Sequence, residues 1–253
     1  MRILMVNDDG IQSPGILKLA QGLKQRHEIT IVAPEAQRSA YSHSFTLFQD
    51  IAVRRVRVKG LEEVPCFQIS GTPADCTKLG VLSLMEQPPD LVVSGINQGA
   101  NLGTDIAYSG TLGAAFEAGL LGYPAIAFSQ YMRGGKEADF ETAVEIAAQW
   151  IDTFPIASIP IGTVLNINIP AVPKEEIRGV KMTSQGTLDY RTTYARTMQA
   201  EDEFSCRIQG ELQPSKEEGT DVWAIQQGYI SVSPLQCDRT DWAMLEELQK
   251  MQF

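Results

Sequence analysis

Short β-branched runs alternate with segments of helical period through about residue 130, and that alternation constrains the fold most, because it calls for βαβ units and a parallel sheet. Ile3–Val6 reads as a buried strand, Ile16–Leu23 as a helix introduced by Ser13-Pro14-Gly15, and Ile29–Ala33 as a second strand stopped by Pro34. Phe67–Ser70 is a third strand, followed by a helix with Thr72 as N-cap and Pro73 at its first position. Asp90–Ser94 and Ala125–Ser129 are further core strands, separated by a small-residue helix over Gly110–Leu121. The expectation is an α/β fold, a Rossmann-like, mostly parallel sheet with helices on both faces.

The mixed Val/Arg run Ile51–Val58 suits an edge strand better than a buried one. Glu137–Phe154 has the period of an amphipathic helix, and Val164–Ile169 is a strand ended by Pro170. After Pro173 the texture changes. Strand-like pieces at Val180–Thr183, Phe204–Gln209, Val222–Ile225 and Ile230–Val232 are joined by polar, Gly-containing loops, and Thr240–Met251 reads as a closing helix capped by Asp238 or Thr240. This predicts a Rossmann-like catalytic domain over 1–172 and a smaller β-rich C-terminal appendage over 173–253. The appendage lacks an obvious core, so it is expected to gain burial from another copy of the chain.

Composition removes several classes of function. The chain carries 21 Lys and Arg against 31 Asp and Glu, a net charge of −10 over 253 residues, which argues against binding a nucleic-acid polymer. No run approaches the roughly 18 apolar residues of a membrane span, and the start MRILMVNDDG lacks the features of a secretory signal. Cys66, Cys76, Cys206 and Cys237 form no C-x-x-C pair, so a disulfide framework or zinc site is not expected and a cytoplasmic location fits. With His27 and His43 as the two histidines, and no G-x-S-x-G, Walker or G-x-G-x-x-G pattern, what remains is oxygen-ligand chemistry.

Asn7-Asp8-Asp9-Gly10 follows the first strand directly. An Asp-Gly pair there can mark a hairpin, but Pro14 and the helical period up to Leu23 make the turn a strand-to-helix junction. Two carboxylates then stand at the carboxyl end of a parallel strand, where open α/β sheets place ligands. Adjacent carboxylates repel unless a cation or proton lies between them, and hard oxygen ligands suit Mg²⁺, Mn²⁺ or Ca²⁺. Neighbouring strand tips offer neutral oxygens: Ser39, Ser42 and Ser44 after the second strand, and Asn97 after the fourth. Ser109-Gly110-Thr111 opens a helix whose free N–H groups favour a phosphate, although Ser109 can equally be a plain cap and the small residues plain packing. Arg38 is a further phosphate clamp or a solvated loop residue, His43 a proton donor or an ordinary polar residue, and Cys76 reads as core.

Together MRILMVNDDG, PEAQRSAYSHSFT, GTPADCTKLG and PDLVVSGINQGANLGTDIAYSGTLGAAFEAG, in this order and spacing, resemble the SurE survival-protein family of metal-dependent nucleotidases over roughly residues 1–130. The later GYISVSPLQCDRTDW is similar to the family's final strand and helix. The resemblance implies that Asp8, Asp9, Ser39 and Asn97 bind one divalent cation per subunit, Mg²⁺ or Mn²⁺, with Asp8, Asn97 and Ser39 serving the chemistry. It further implies a phosphatase for nucleoside 5′- and 3′-monophosphates, assembled as a homodimer or homotetramer with a swapped C-terminal element. Asn101, Ser109, Gly110 and Thr111 are the expected substrate and phosphate contacts. Ala40 stands where the family commonly has Gly, and TTYARTMQAEDEFSCRIQGE departs from the family's aromatic pattern, which bears on loop backbone and base preference.

In the resulting reading the cation neutralises charge on the transferring phosphoryl group, and Asp8 is general base or covalent nucleophile. The alternatives are a nucleotide or metal sensor without turnover and an aspartyl-phosphate phosphatase of another fold. The latter favours D-x-D after the first strand, which Asp8-Asp9 does not supply.

Overall fold

A computed structural model describes residues 1–132, 140–200, 202–214 and 217–251. In chain order the elements are β1 (Arg2–Val6), α1 (Pro14–Leu23), β2 (Glu28–Pro34), β3 (Val53–Val56), β4 (Cys66–Ile69), α2 (Pro73–Leu79), β5 (Leu91–Gln98), α3 (Gly110–Leu120), β6 (Ala125–Gln130), α4 (Glu141–Thr153), β7 (Thr163–Ile169), β8 (Val180–Met182), β9 (Leu188–Ala200), β10 (Glu203–Pro214), α5 (Asp221–Gln226), β11 (Ile230–Gln236) and α6 (Trp242–Lys250).

The strands form a nine-stranded sheet in the order β3-β4-β2-β1-β5-β6-β7-β11-β8. From β4 to β7 every pairing is parallel, as the βαβ pattern predicts. Alternation along β1 sends Ile3 and Met5 into a core with α1 and α4, and Leu4 and Val6 into a second core with α2 and α3, so both faces are covered. Strand order reverses between β1 and β5, since β1 pairs with β2 on one side and β5 on the other. The crevice at the carboxyl ends of these two strands is the switch point of a doubly wound sheet. β3, with its arginines, lies at an edge and runs antiparallel to β4.

Three C-terminal details differ from the sequence reading. The sheet continues past residue 173, because β11 pairs antiparallel with β7 and parallel with β8. What forms a separate sheet is the β9–β10 hairpin. Val222–Ile225 is not a strand but part of α5: Thr220 caps it by accepting from the Trp223 N–H, and Val222 and Ile225 bury one face at helical spacing. The closing helix is capped by Asp241, whose side chain accepts from the Met244 N–H, while Asp238 is engaged with Thr240. The expected start of α4 at Glu137 lies outside the described residues.

Candidate active site

The turn after β1 is built by Asn7. Its Nδ2 donates to the Gly10 carbonyl (2.9 Å) and its Oδ1 accepts from the Gly10 N–H (3.2 Å), while Gly10 takes a φ of +97°, which a side chain resists. The chain then enters α1, so Asp8 and Asp9 stand at the switch point.

Their environments differ. Asp8 is buried, 5% exposed, and its Oδ1 accepts from the Thr111 hydroxyl at 2.7 Å. Burial pushes its carboxyl up to about 6; the Thr111 hydrogen bond works the other way and the neighbouring Asp9 charge adds to the rise. Asp9 is half-buried and also raised by burial, against hydrogen bonds from the Gln98 N–H to Oδ2 (3.1 Å) and from Gln37 Nε2 to Oδ1 (3.3 Å).

Other strand tips converge on this pair. The Arg38 N–H donates to the Asp8 carbonyl at 2.7 Å, so the exposed loop that carries Ser39 leaves from beside Asp8. Ala40 adopts φ +60° and Ser42 φ +54°, so the alanine keeps the left-handed backbone that glycine favours, at a cost of about 1–2 kcal/mol. Asn97 follows a register irregularity in β5 at Gly95, where a β-carbon would meet the Phe128 carbonyl at 2.2 Å. Asn97 Nδ2 donates to the Gly99 carbonyl (2.8 Å), and its Oδ1 accepts no hydrogen bond among the described residues. Finally α3 begins against Asp8: a β-carbon on Gly110 would lie 2.9 Å from both Cβ and Oδ2 of Asp8 and 3.2 Å from the Arg38 carbonyl. Four segments therefore meet at one carboxylate pair.

The expected phosphate contacts are only partly free. Ser109 Oγ caps α3 by accepting from the Leu112 N–H, and the Thr111 hydroxyl is engaged with Asp8. The Thr111 backbone N–H also serves the Asp8 carboxyl and opposes its rise, and the Leu112 N–H is taken by the Ser109 cap. Asn101 is buried and held by Asn166, Asn168 and Ser129: its N–H donates to Asn168 Oδ1, its Nδ2 to Ser129 Oγ, and its carbonyl accepts from both asparagine amides. Arg38 donates through Nη2 to the Ser70 carbonyl and through Nη1 to Tyr41, and its buried Nε has no hydrogen-bond partner. Cys76 is core, as read.

Sequence reasoning missed Gln37 and the Gln98 N–H, for which no motif gave a signal, and Glu117. Buried on α3, Glu117 pairs through Oε2 with His43 Nε2 (2.9 Å) and accepts through Oε1 from Lys78 Nζ (2.8 Å). A carboxylate inside the otherwise apolar GAAFEAG was the available signal. His43 is thus tied to α3. Among the described residues no cluster of three His, Cys, Asp or Glu side chains is present. The donor set is two carboxylates with neutral oxygens, which fits a hard divalent cation.

The sequence model of the family described as Survival protein SurE matches residues 3–192. The chain is 40% identical over 252 residues to the 5'-nucleotidase SurE of Clostridium beijerinckii, covering 99% of both chains. It is 39% identical over 251 residues to the 5'-nucleotidase SurE of a Thermoanaerobacter strain, covering 98% of this chain and 97% of that one. The crystal structure of the Sure protein from Aquifex aeolicus superposes with a TM-score of 0.84 at 38% identity, covering 98% of each chain.

Proposed function

From the premise that the chain belongs to the SurE family, we propose that it is a nucleotidase that hydrolyses nucleoside 5′-monophosphates, and 3′-monophosphates, at the β1/β5 switch point. The observation that carries this reading is the convergence on Asp8 and Asp9 of three segments: the β5 tip that carries Asn97, through the Gln98 N–H, the loop that carries Ser39, through the Arg38 N–H, and the start of α3 at Gly110. Asp8, Asp9, Ser39 and Asn97 would hold one Mg²⁺ or Mn²⁺, which when bound supplies charge neutralisation at the phosphoryl group and a more acidic attacking water. Burial alone disfavours two charged carboxylates side by side, so the pair suits a cation as its counter-charge.

The residues of the chain do the rest. Thr111 fixes the Asp8 carboxylate, which acts on the attacking oxygen as general base or nucleophile. The N-terminal end of α3, whose dipole favours an anion, receives the phosphate. Asn101 is held rigidly enough to orient substrate rather than to move with it.

The experiment is release of inorganic phosphate from AMP with Mn²⁺ present. The wild type is expected to turn over and Asp8→Asn to lose nearly all turnover. Binding of AMP without phosphate release by the wild type would make the protein a sensor instead.

A further inference from the structure

Between Asn97 and the start of α3 the chain passes through residues 101–103, which belong to neither sheet. Leu102 is nonetheless extended, with φ −126° and ψ 153°. In a β-ladder the N–H and C=O groups of alternate residues are received by a neighbouring strand. Here side chains receive them. The Asn101 N–H donates to Asn168 Oδ1 (2.9 Å), and the Asn101 carbonyl accepts from Asn166 Nδ2 (2.8 Å) and Asn168 Nδ2 (3.1 Å). Two residues on, the Gly103 N–H donates to Asp221 Oδ2 (2.9 Å) and the Gly103 carbonyl accepts from Gln185 Nε2 (2.9 Å). The backbone groups of both residues are thus paired, ladder-fashion, by side chains from the C-terminal part of the chain.

We propose that Asn166, Asn168 and Asp221 are positioning residues for the reaction, holding residues 101–103 so that Asn101 and the opening of α3 keep their places at the Asp8 carboxylate. The inference rests on the nucleotidase reading and deepens it. The three side chains are fully buried, and asparagine is disfavoured in strands such as β7. Burying an amide or a carboxylate is costly without hydrogen bonds, and apolar residues would suit the interior better. Asn166 even leaves its Oδ1 without a partner among the described residues, so its amide is placed for what Nδ2 holds. Local rules are broken in this way where a site needs the geometry. The clamp is itself fixed. Asp221 also accepts from the Gly186 N–H (2.8 Å) and the Val222 N–H (2.7 Å), and Ser129, which pairs with Asn168 in the β6–β7 register, accepts from Asn101 Nδ2 (2.8 Å).

The test measures kcat and KM for phosphate release from AMP with Mn²⁺ in Asn168→Leu, Asp221→Asn and Asn166→Leu, together with hydrogen exchange of the amides of residues 101 and 103 and thermal unfolding by circular dichroism. Ser233→Ala is the comparison, because Ser233 is equally buried but is hydrogen-bonded to Thr183. Asn168→Leu and Asp221→Asn are expected to speed exchange at 101 and 103 and to lower kcat by about tenfold or more, with KM changed by less than about threefold. Asn166→Leu leaves Asn168 on the same carbonyl and removes an unpaired oxygen, so it should fold even where the others do not; a smaller loss of kcat is expected, and it decides alone if the others fail to fold. Ser233→Ala should lower the melting temperature and leave kcat unchanged. Unchanged kcat in the clamp variants, or an equal loss in Ser233→Ala, makes the clamp merely structural and overturns the inference. A wild type that binds AMP without releasing phosphate overturns the nucleotidase reading instead. The positioning role then stands if calorimetry finds AMP binding weakened in Asn168→Leu and not in Ser233→Ala, and falls otherwise.

Discussion

At position 110 the backbone passes so close to Asp8 that an added methyl would sit 2.9 Å from the carboxylate, closer than β-carbons approach other atoms. Gly110→Ala must therefore push Asp8 or the start of α3 aside, and a displacement of about 1 Å at a reacting group costs on the order of 10²-fold in rate. The expected outcome is a kcat lowered by about that factor with a thermal transition still cooperative, measured by phosphate release and circular dichroism; unchanged turnover would contradict the contact's role. The two carboxylates should also part company. Asp8 is buried and fixed by Thr111, whereas Asp9 is half-buried and held by Gln37 and a backbone N–H. Asp8→Asn is expected to abolish turnover at any metal concentration, while Asp9→Asn regains part of it as Mn²⁺ is raised. Equal rescue of both in a metal titration would make Asp8 an ordinary ligand.

At the scale of elements, α2 and α3 clamp the serine loop. Thr72 caps α2 in a reciprocal box with Asp75, whose Oδ2 accepts from the Thr72 N–H; the two Asp75 oxygens also accept from the Thr46 N–H and hydroxyl, and the Thr72 hydroxyl donates to the Ser44 carbonyl. Gly113 lets the loop press on α3, since a β-carbon there would meet the Ser42 carbonyl at 2.1 Å. Glu117 completes the clamp through His43 and Lys78, and the His43 hydrogen bond is the main cause holding its carboxyl below the usual range, with Lys78 adding against burial. A folded value below the unfolded one means stabilisation that is full above the ordinary glutamate value and lost as pH falls through the folded one. Glu117→Gln is expected to lower stability by roughly 1–3 kcal/mol near pH 7, and urea titrations should find the deficit shrinking below about pH 4. A pH-independent deficit would mean that shape rather than charge matters. The loop was legible in the sequence as PEAQRSAYSHSFT, and Thr72 as a cap, because capping chemistry is local. Its partners were not, because Glu117 lies 74 residues from His43 and no periodicity reports such a pair. For the same reason Val222–Ile225, a short β-branched run, read as a strand although Thr220 starts a helix there.

For the whole molecule, the parallel sheet followed from alternation, whereas the reversal of strand order between β1 and β5 and the place of the C-terminal strands needed the tertiary pairing. At its far end the β9–β10 hairpin carries Met198 opposite Phe204, both exposed, and α6 buries none of its residues. A two-stranded hairpin is marginal by itself in water, so this face is proposed to be covered by another copy in a homodimer or homotetramer. Light scattering at micromolar concentration should find the assembly, and Met198→Lys should shift it toward monomer; a wild type that is strictly monomeric would contradict it. No helix among the described residues is long and apolar enough to cross a membrane. Oxygen ligands gathered at the β1/β5 crevice are proposed to make phosphate hydrolysis depend on a hard divalent cation. The most direct test of this is phosphate release from AMP by protein dialysed against EDTA and then titrated with Mn²⁺ or Mg²⁺, with the far-UV circular dichroism recorded throughout. Activity is expected to be lost on dialysis with the spectrum retained, and to recover on adding either ion. Full activity in excess EDTA would contradict it.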